Sequence, residues 1–158
     1  MSARVLTLLT ALGAATMGGV FFAFSTFVMK GLGRLPPSQG VAAMQALNLD
    51  APTGLFLASL LGTSGASLLL AVISLMRWSE PGAALRVAGA AVYLAGCIGV
   101  TGAYHVPRND ALAALSPSSA EAIAYWPRYV EDWTAGNHVR AAAGLVAATL
   151  LMLAMMRD

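Results

Sequence analysis

Charge is what this chain has least of. Lys, Arg, Asp and Glu make up 10% of its 158 residues, against roughly 25% in an ordinary soluble domain. So few charges cannot cover a water-exposed surface of this size, so lipid must cover much of it. The nine basic and seven acidic residues are scattered, with no Lys/Arg run and no basic stripe. A nucleic-acid partner therefore has no support. Cysteine is nearly absent too. Cys97 stands alone, midway along an apolar stretch. A single cysteine excludes an intramolecular disulfide and a C-x-x-C redox pair. Quinone–thiol chemistry of the paired-cysteine type goes with them, and Cys97 reads as a small apolar helix residue. The chain also lacks metal-ligand spacing, low-complexity segments and internal repeats.

Long apolar runs take their place. Residues 5–29, 51–76, 87–107 and 141–156 contain no Lys, Arg, Asp or Glu. A helix needs about 20 apolar residues to cross the hydrocarbon core. The first two runs exceed that and the third just meets it. The fourth reaches it by taking in residues 137–140, with Arg140 snorkelling to the interface. The expected fold is all-α: a single-domain integral membrane four-helix bundle over 1–158. Its spans fall near 5–29, 51–76, 87–107 and 137–156, and the two long loops have room for short extra helices. The run at 5–29 outlasts the roughly 7–15-residue core of a signal peptide and reads as an uncleaved first span.

Four spans place both termini on one side. That side carries Arg4, Arg77, Arg86 and Arg157 in short segments, with Glu80 and Asp158. The other carries Lys30, Arg34, Arg108, Arg128 and Arg140 in longer ones, with Asp50, Asp110, Glu121, Glu131 and Asp132. The density of basic residues near span ends predicts cytoplasmic termini in a multi-pass protein of the cell membrane. In the first loop, Leu35-Pro-Pro-Ser38 predicts a turn, with Ser38 capping a helix over 39–47. Glu80-Pro-Gly82 predicts a tight turn. Ser119 offers a cap for a helix running towards the fourth span, with Pro127 early in it. Small residues recur every four positions at Ala11, Ala15, Gly19 and Ala23, and again at Gly54, Ala58, Gly62 and Ala66. Such stripes permit close helix approach in lipid and are expected to seat the first two spans.

Two polar motifs flank the last two spans: His105-Val-Pro-Arg-Asn-Asp-Ala-Leu112 and Trp133-Thr-Ala-Gly-Asn-His-Val-Arg140. Wound at 100° per residue, residues 126–151 place Trp126, Val130, Trp133, Asn137, Arg140, Gly144, Ala147 and Leu151 on one stripe. Its lower half is small, so Trp133, Asn137 and Arg140 are expected to point into the bundle. His138 shares a bulky apolar face with Glu131, Leu145, Thr149, Met152 and Met156. This holds if the helix continues through Gly136. An inward Arg at the membrane boundary needs a partner or a water-filled cavity. Asp110, Asp50 and Glu131 are the acids on its side. Arg140 either snorkels or acts as a site cation for an anionic or phenolic oxygen. Asn137 either bonds between helices or contacts a ligand. Trp126 and Trp133 suit an interfacial belt.

His105 ends the third span, before Pro107 breaks the helix. It suits a general base, a metal ligand or a hydrogen-bonded interface residue. Asn109 and Asp110 then fall in a turn, where they can cap the next segment. His105, Asp110 and His138 are the one metal set available, and haem through both His is a further option. Phe21, Phe22, Phe24 and Phe27, with Ser25 and Thr26, either line an apolar pocket at the outer mouth or face lipid.

These motifs resemble those of the anthrone oxygenase-like (DUF1772) family of small four-span membrane proteins. The resemblance runs from about Leu12 to Met155. It is carried by Gly19-Val-Phe-Phe-Ala-Phe-Ser25 with Met29, by Met44-Gln-Ala-Leu-Asn48, by Val106-Pro-Arg-Asn-Asp-Ala-Leu112 and by Trp133-x-x-x-Asn137-His-Val-Arg140. It implies a helical bundle in the membrane, some of whose relatives oxidise anthrones to anthraquinones with molecular oxygen. It points to Asn48, Asn109, Trp133, Asn137 and Arg140 as site positions, and less firmly to His105. Gly136 departs from the family pattern, in which a bulkier residue often precedes the Asn.

The expectation is an oxygenase-like protein acting on an anthrone-like or phenolic aromatic, in a pocket open to the outer interface. Arg140 and Asn137 would hold the oxyanion, His105 would be the base, and Trp133 and Phe24 would stack on the rings. No cofactor is required, though a single metal ion fits the alternative. The partners are a hydrophobic small molecule and the bilayer, with a homo-oligomer left open. The rival reading is a non-enzymatic lipid- or ligand-binding subunit. A transporter is disfavoured, because mid-membrane charges are lacking.

Overall fold

The computed structural model describes residues 3–157. Met1, Ser2 and Asp158, the last counted above among the termini-side charges, lie outside the described residues. Helix α1 spans Ala3–Leu32. Helix α2 spans Pro37–Asp50. Then come α3 at Gly54–Met76, α4 at Ala83–Ala113 and α5 at Ala120–Met155. Among the described residues there is no strand. The protein is all-helical and multi-pass, with α1, α3, α4 and α5 long and apolar enough to cross a membrane.

The helices outrun the apolar stretches. At 1.5 Å per residue the 36 residues of α5 extend about 54 Å, well beyond a hydrocarbon core of roughly 30 Å. Its amino-terminal portion therefore stands clear of the core and packs against α2 and the end of α4. Ser119 caps α5 as expected, its Oγ accepting from Ala122 N at 3.1 Å. Pro127 sits within the helix without ending it. The helix in the first loop is longer than 39–47 and is not capped by Ser38. Pro36 holds the cap position with extended backbone, and Pro37 opens the first turn, where its missing N–H costs nothing.

Pro107 does not break α4. It occupies the first turn of the helical segment Val106–Ala113, directly after two π-helical segments, Leu94–Gly99 and Thr101–His105. The wider i→i+5 winding shifts the hydrogen-bond register, so the missing donor is absorbed within a continuous helix. Asn109 and Asp110 are consequently helical, not turn residues. A third π-helical segment, Phe24–Val28, interrupts α1.

The small-residue seams also differ from the expected ones. Gly19, Gly54 and Gly62 have no neighbour at the position a Cβ would take. The close approach is made by Gly18 of α1 and Gly144 of α5. A Cβ on Gly144 would sit 2.7 Å from Gly18 Cα, and one on Gly18 would sit 2.9 Å from Leu145 N. Gly13 faces Thr63 of α3 in the same way. The reason is angular. Each four-residue step on an α-helix overshoots a full turn by about 40°, so a long i,i+4 run cannot stay on one face. The buried set of α3 is Leu60, Thr63, Ser67, Leu70 and Ser74, which alternates steps of three and four.

At the α3–α4 turn Gly82 takes a left-handed φ of 76°. Arg86, placed by sequence at the end of this connection, lies inside α4 and is 2% exposed. Its Nε donates to Ser74 Oγ at 3.2 Å and its Nη2 pairs with Glu80 at 3.3 Å.

The seam yields a stability test. Gly18→Val and Gly144→Val should each destabilise the detergent-solubilised protein by about 1–3 kcal/mol through overpacking. Gly62→Val, facing lipid, should shift the thermal midpoint far less. Equal shifts at all three positions would show that the α1–α5 contact is not the close one.

Candidate functional site

The stripe on α5 is realised. The helix is continuous through Gly136, and Trp133, Asn137 and Arg140 are 5%, 0% and 6% exposed. His138 is exposed on the opposite face. Asn137 is the hub. Its Nδ2 donates to Phe21 O at 2.6 Å and to Ser25 Oγ at 2.7 Å, tying α5 to α1. Its Oδ1 accepts from Arg140 Nε at 3.1 Å and from Nη2 at 2.7 Å. Arg140 Nη1 donates to Thr101 Oγ1 on α4 at 3.2 Å. The guanidinium carbon lies 4.4 Å from the Phe21 ring centroid and 5.0 Å from that of Trp133.

Arg140 therefore does not snorkel. Nor does it pair with an acid: among the described residues no carboxylate lies within ion-pair distance of it. Asp50, Asp110 and Glu131, the expected partners, are all exposed. Removing a cation from water costs several kcal/mol even after relaxation. Charge-assisted hydrogen bonds and two aromatic faces offset part of that. Of five guanidinium N–H groups, Asn137 and Thr101 engage three. The rest, and the positive charge, are uncommitted to any anion.

His105 is 1% exposed and lies beside Trp133, ring centroids 4.9 Å apart and edge to face. Its Nε2 is 3.2 Å from Trp133 O and its Nδ1 3.4 Å from Val100 O. A neutral imidazole carries one N–H, so only one contact is a donated hydrogen bond. Which of the two it is depends on the tautomer. Phe24 packs on Trp133 at 5.7 Å between centroids. Phe21 lies under Arg140, while Phe22 and Phe27 are exposed.

Asn109 and Asn48 act one layer out. Asn109 Oδ1 accepts from Tyr129 Oη at 2.9 Å and from Trp133 Nε1 at 3.0 Å, which fixes the indole. Asn48 Nδ2 reaches Tyr129 Oη at 3.5 Å. Gln45 Nε2 donates to Leu112 O at 2.8 Å and Leu115 O at 2.9 Å. Together these fasten α2 across the loop end of the bundle. Val41, Met44, Leu112 and Trp126, each at most 2% exposed, fill the space beneath it. Helix α2 thus covers this end of the bundle. A shallow, open groove of about 530 Å³ lies on the side of the bundle, between α4 and α5.

The structure does not bring the possible metal set together. His105 is buried, whereas Asp110 and His138 are exposed. Among the described residues no three His, Cys, Asp or Glu converge as a metal site would require. Cys97 is buried, with Sγ 3.6 Å from Arg140 O. Sequence reasoning missed Thr101 and Tyr129. The signal for Thr101 was its place midway between Cys97 and His105, at four-residue steps.

A buried Asn–Arg pair, with an imidazole and an indole beside it and no carboxylate within ion-pair distance among the described residues, marks the chain's chemically distinctive centre. A family model described as anthrone oxygenase matches residues 52–150. The chain belongs to the anthrone oxygenase family. The matched region holds α3, α4, most of α5 and both polar motifs. Phe21, Ser25 and the α2 residues lie outside it. No curated protein and no solved structure matches the chain.

The fastening of α2 can be read directly. Gln45→Ala removes two hydrogen bonds to helix-terminal carbonyls, each worth about 1 kcal/mol. Amide hydrogen exchange within 37–50 should accelerate roughly tenfold or more, while α1 and α3 keep their protection. Unchanged exchange in that segment would show that the Gln45 contacts do not hold it.

Proposed function

We propose that this anthrone oxygenase family member is a membrane-embedded oxygenase. Its substrate would be a flat, hydrophobic aromatic ketone or phenol whose ring C–H becomes acidic on enolisation. The observation that carries the reading is the buried Arg140 guanidinium, held by Asn137 and Thr101 but paired with no carboxylate among the described residues. A protein retains such a cation where an anion forms only during reaction, because preorganised donors then stabilise the transition state without reorganising.

With an anthrone the balance is simple. The base removes one proton from the ring methylene, and the electron pair moves onto the carbonyl oxygen facing Arg140. The enolate carbon bonds to molecular oxygen, and the terminal oxygen takes up a proton. Loss of the second methylene proton expels water as the O–O bond breaks, leaving the quinone. The substrate supplies the electrons, and oxygen is reduced to water plus the new carbonyl. His105 is the base in this scheme. In the tautomer that carries its proton on Nε2, a bond to Trp133 O orients the ring and Nδ1 is the nitrogen that accepts the substrate proton. Trp133 and Phe24 supply the ring faces that a planar substrate would stack on.

The test is oxygen uptake by the purified protein in lipid nanodiscs with anthrone as substrate. Uptake should exceed the uncatalysed rate. Arg140→Ala and Asn137→Ala should each lower kcat by about 10²-fold, the usual cost of an oxyanion donor. His138→Ala should leave it within twofold. Uptake at the uncatalysed rate by wild-type protein would sink the oxygenase reading in favour of a ligand-binding subunit.

A further inference from the structure

Helix α2 is held over the end of the bundle by little. Of its fourteen residues only Gly40, Val41 and Met44 are buried. Gln45 supplies two hydrogen bonds to carbonyls of α4 and the turn after it. Asn48 adds a contact of 3.5 Å to Tyr129 Oη, which is long for a hydrogen bond. Short connections join α2 to its neighbours, with Gly33 before it and Gly54 after it. Gly54 already takes a left-handed φ of 54°, a conformation open to glycine without strain. A hinge needs a few such element-terminal residues to absorb backbone rotation.

The contact beneath α2 is also incompletely satisfied. Trp126 is 2% exposed, and its Nε1 has no hydrogen-bond partner among the described residues. The edge of the indole that bears this N–H lies against Gly40. A Cβ at residue 40 would fall 2.8 Å from Nε1 and 2.7 Å from the adjoining ring carbons. Trp126 therefore accepts α2 only because residue 40 has no side chain. Seating α2 there strips the N–H of water without supplying an acceptor, and a buried donor left unpaired carries its full desolvation cost. The other indole of this layer is treated differently, since Trp133 Nε1 donates to Asn109 Oδ1. Lifting α2 hydrates Trp126 Nε1, and the groups that Gln45 releases return to water.

The layer under α2 leads to the Arg140 centre. Met29, Leu112, Trp126, Tyr129 and Trp133 are buried in one cluster with Val41 and Met44. Met29 stands four residues beyond Ser25, the hydroxyl that accepts from Asn137 Nδ2. Trp133 packs against His105 and the Arg140 guanidinium. We propose that α2 is a hinged lid over the Arg140 centre, lifting as one helix to admit a small hydrophobic molecule, with the unpaired N–H of Trp126 keeping its closed state only marginally favoured. Lids are drawn from the least stable elements of a fold, and α2 has the few buried contacts that this requires. That the lid serves a reaction rests on the oxygenase reading; its movement and the access it gives do not.

The test uses thiols placed under the lid in the full chain, in phosphatidylcholine nanodiscs. Met29→Cys, in a Cys97→Ala background, reports from α1, and Leu112→Cys reports from α4. The probe is methyl methanethiosulfonate, a small neutral reagent, and its labelling rate follows the fraction of lid that is open. Gly40→Ala sets a methyl against the Trp126 ring. It should speed labelling about tenfold through overpacking, although alanine favours a helix more than glycine does. Gln45→Ala should act in the same direction. Replacing Trp126 by 3-benzothienylalanine keeps the bicyclic shape and puts sulfur where the N–H stands. That should slow labelling about fivefold or more. Amide exchange across 37–50, which needs no reporter thiol, should move as a unit by the same factors. A thiol at Leu68→Cys, on the exposed face of α3, should label at one rate throughout. A helix that is simply packed would be loosened by all three changes or by none, so the opposite sign at Trp126 is the signature. Labelling that ignores the three substitutions, or exchange that responds while labelling does not, overturns the lid, even where oxygen uptake is catalysed. If labelling tracks the lid while wild-type protein consumes oxygen only at the uncatalysed rate, the lid stands and the oxygenase reading falls.

Discussion

A guanidinium with no carboxylate partner among the described residues, buried among apolar helices long enough to span a membrane, is the constraint that the rest of this structure serves. Arg140 could have been neutralised by an acid at little cost in sequence. Instead it is held by one amide oxygen, one hydroxyl and two ring faces. Each partner is neutral, so the charge is oriented but not cancelled. Holding those partners in place requires α1, α4 and α5 at once: Phe21 and Ser25 from the first, Thr101 and His105 from the second, Trp133 and Asn137 from the third. The glycine contact at Gly18 and Gly144 makes this possible, because only a close approach of backbones lets the short Asn137 side chain reach Phe21 O.

The helices themselves are wound to suit. Tyr93, Cys97, Thr101 and His105 follow one another at four-residue steps and line the inner side of α4, three of them fully buried. On an uninterrupted α-helix three such steps would carry His105 about 120° away from Tyr93. The looser winding at Leu94–Gly99 and Thr101–His105 holds them in line. The same device in α1 keeps Phe21, Ser25 and Met29 buried in sequence. It also explains why Pro107 is harmless, since the register has already shifted before the proline is reached.

This is where the sequence could and could not be read. The four spans were legible because lipid leaves an unmistakable absence of charge. The inward stripe of α5 was legible because that helix is regularly wound over the whole region, so 100° per residue placed Trp133, Asn137 and Arg140 inside and His138 outside. The same arithmetic could not locate Thr101, because α4 abandons it there for four-residue steps that 100° per residue would spread over different faces. The four-residue stripes misled for the opposite reason: α3 is regular, so Gly54, Ala58 and Gly62 drift away from the packed face. The closed loop end was hidden as well. It depends on Gln45 and Asn48 meeting residues more than sixty positions away, and nothing local encodes that.

The identity of residue 137 concentrates these demands. An aspartate there would accept from Arg140 at least as well as asparagine does, and would repay more of the cost of burying the cation. It would also cancel the field that gives the centre its chemistry, and it would have no N–H for Phe21 O or Ser25 Oγ. A leucine would preserve the apolar packing but leave both the guanidinium and the α1 carbonyl unanswered. Only a side chain with a donor and a neutral acceptor on the same short stem can join two helices and steady a charge without extinguishing it. Asparagine is the shortest residue that can donate two hydrogen bonds and accept two more, and the glycine contact of α1 with α5 sets the distance at which it can.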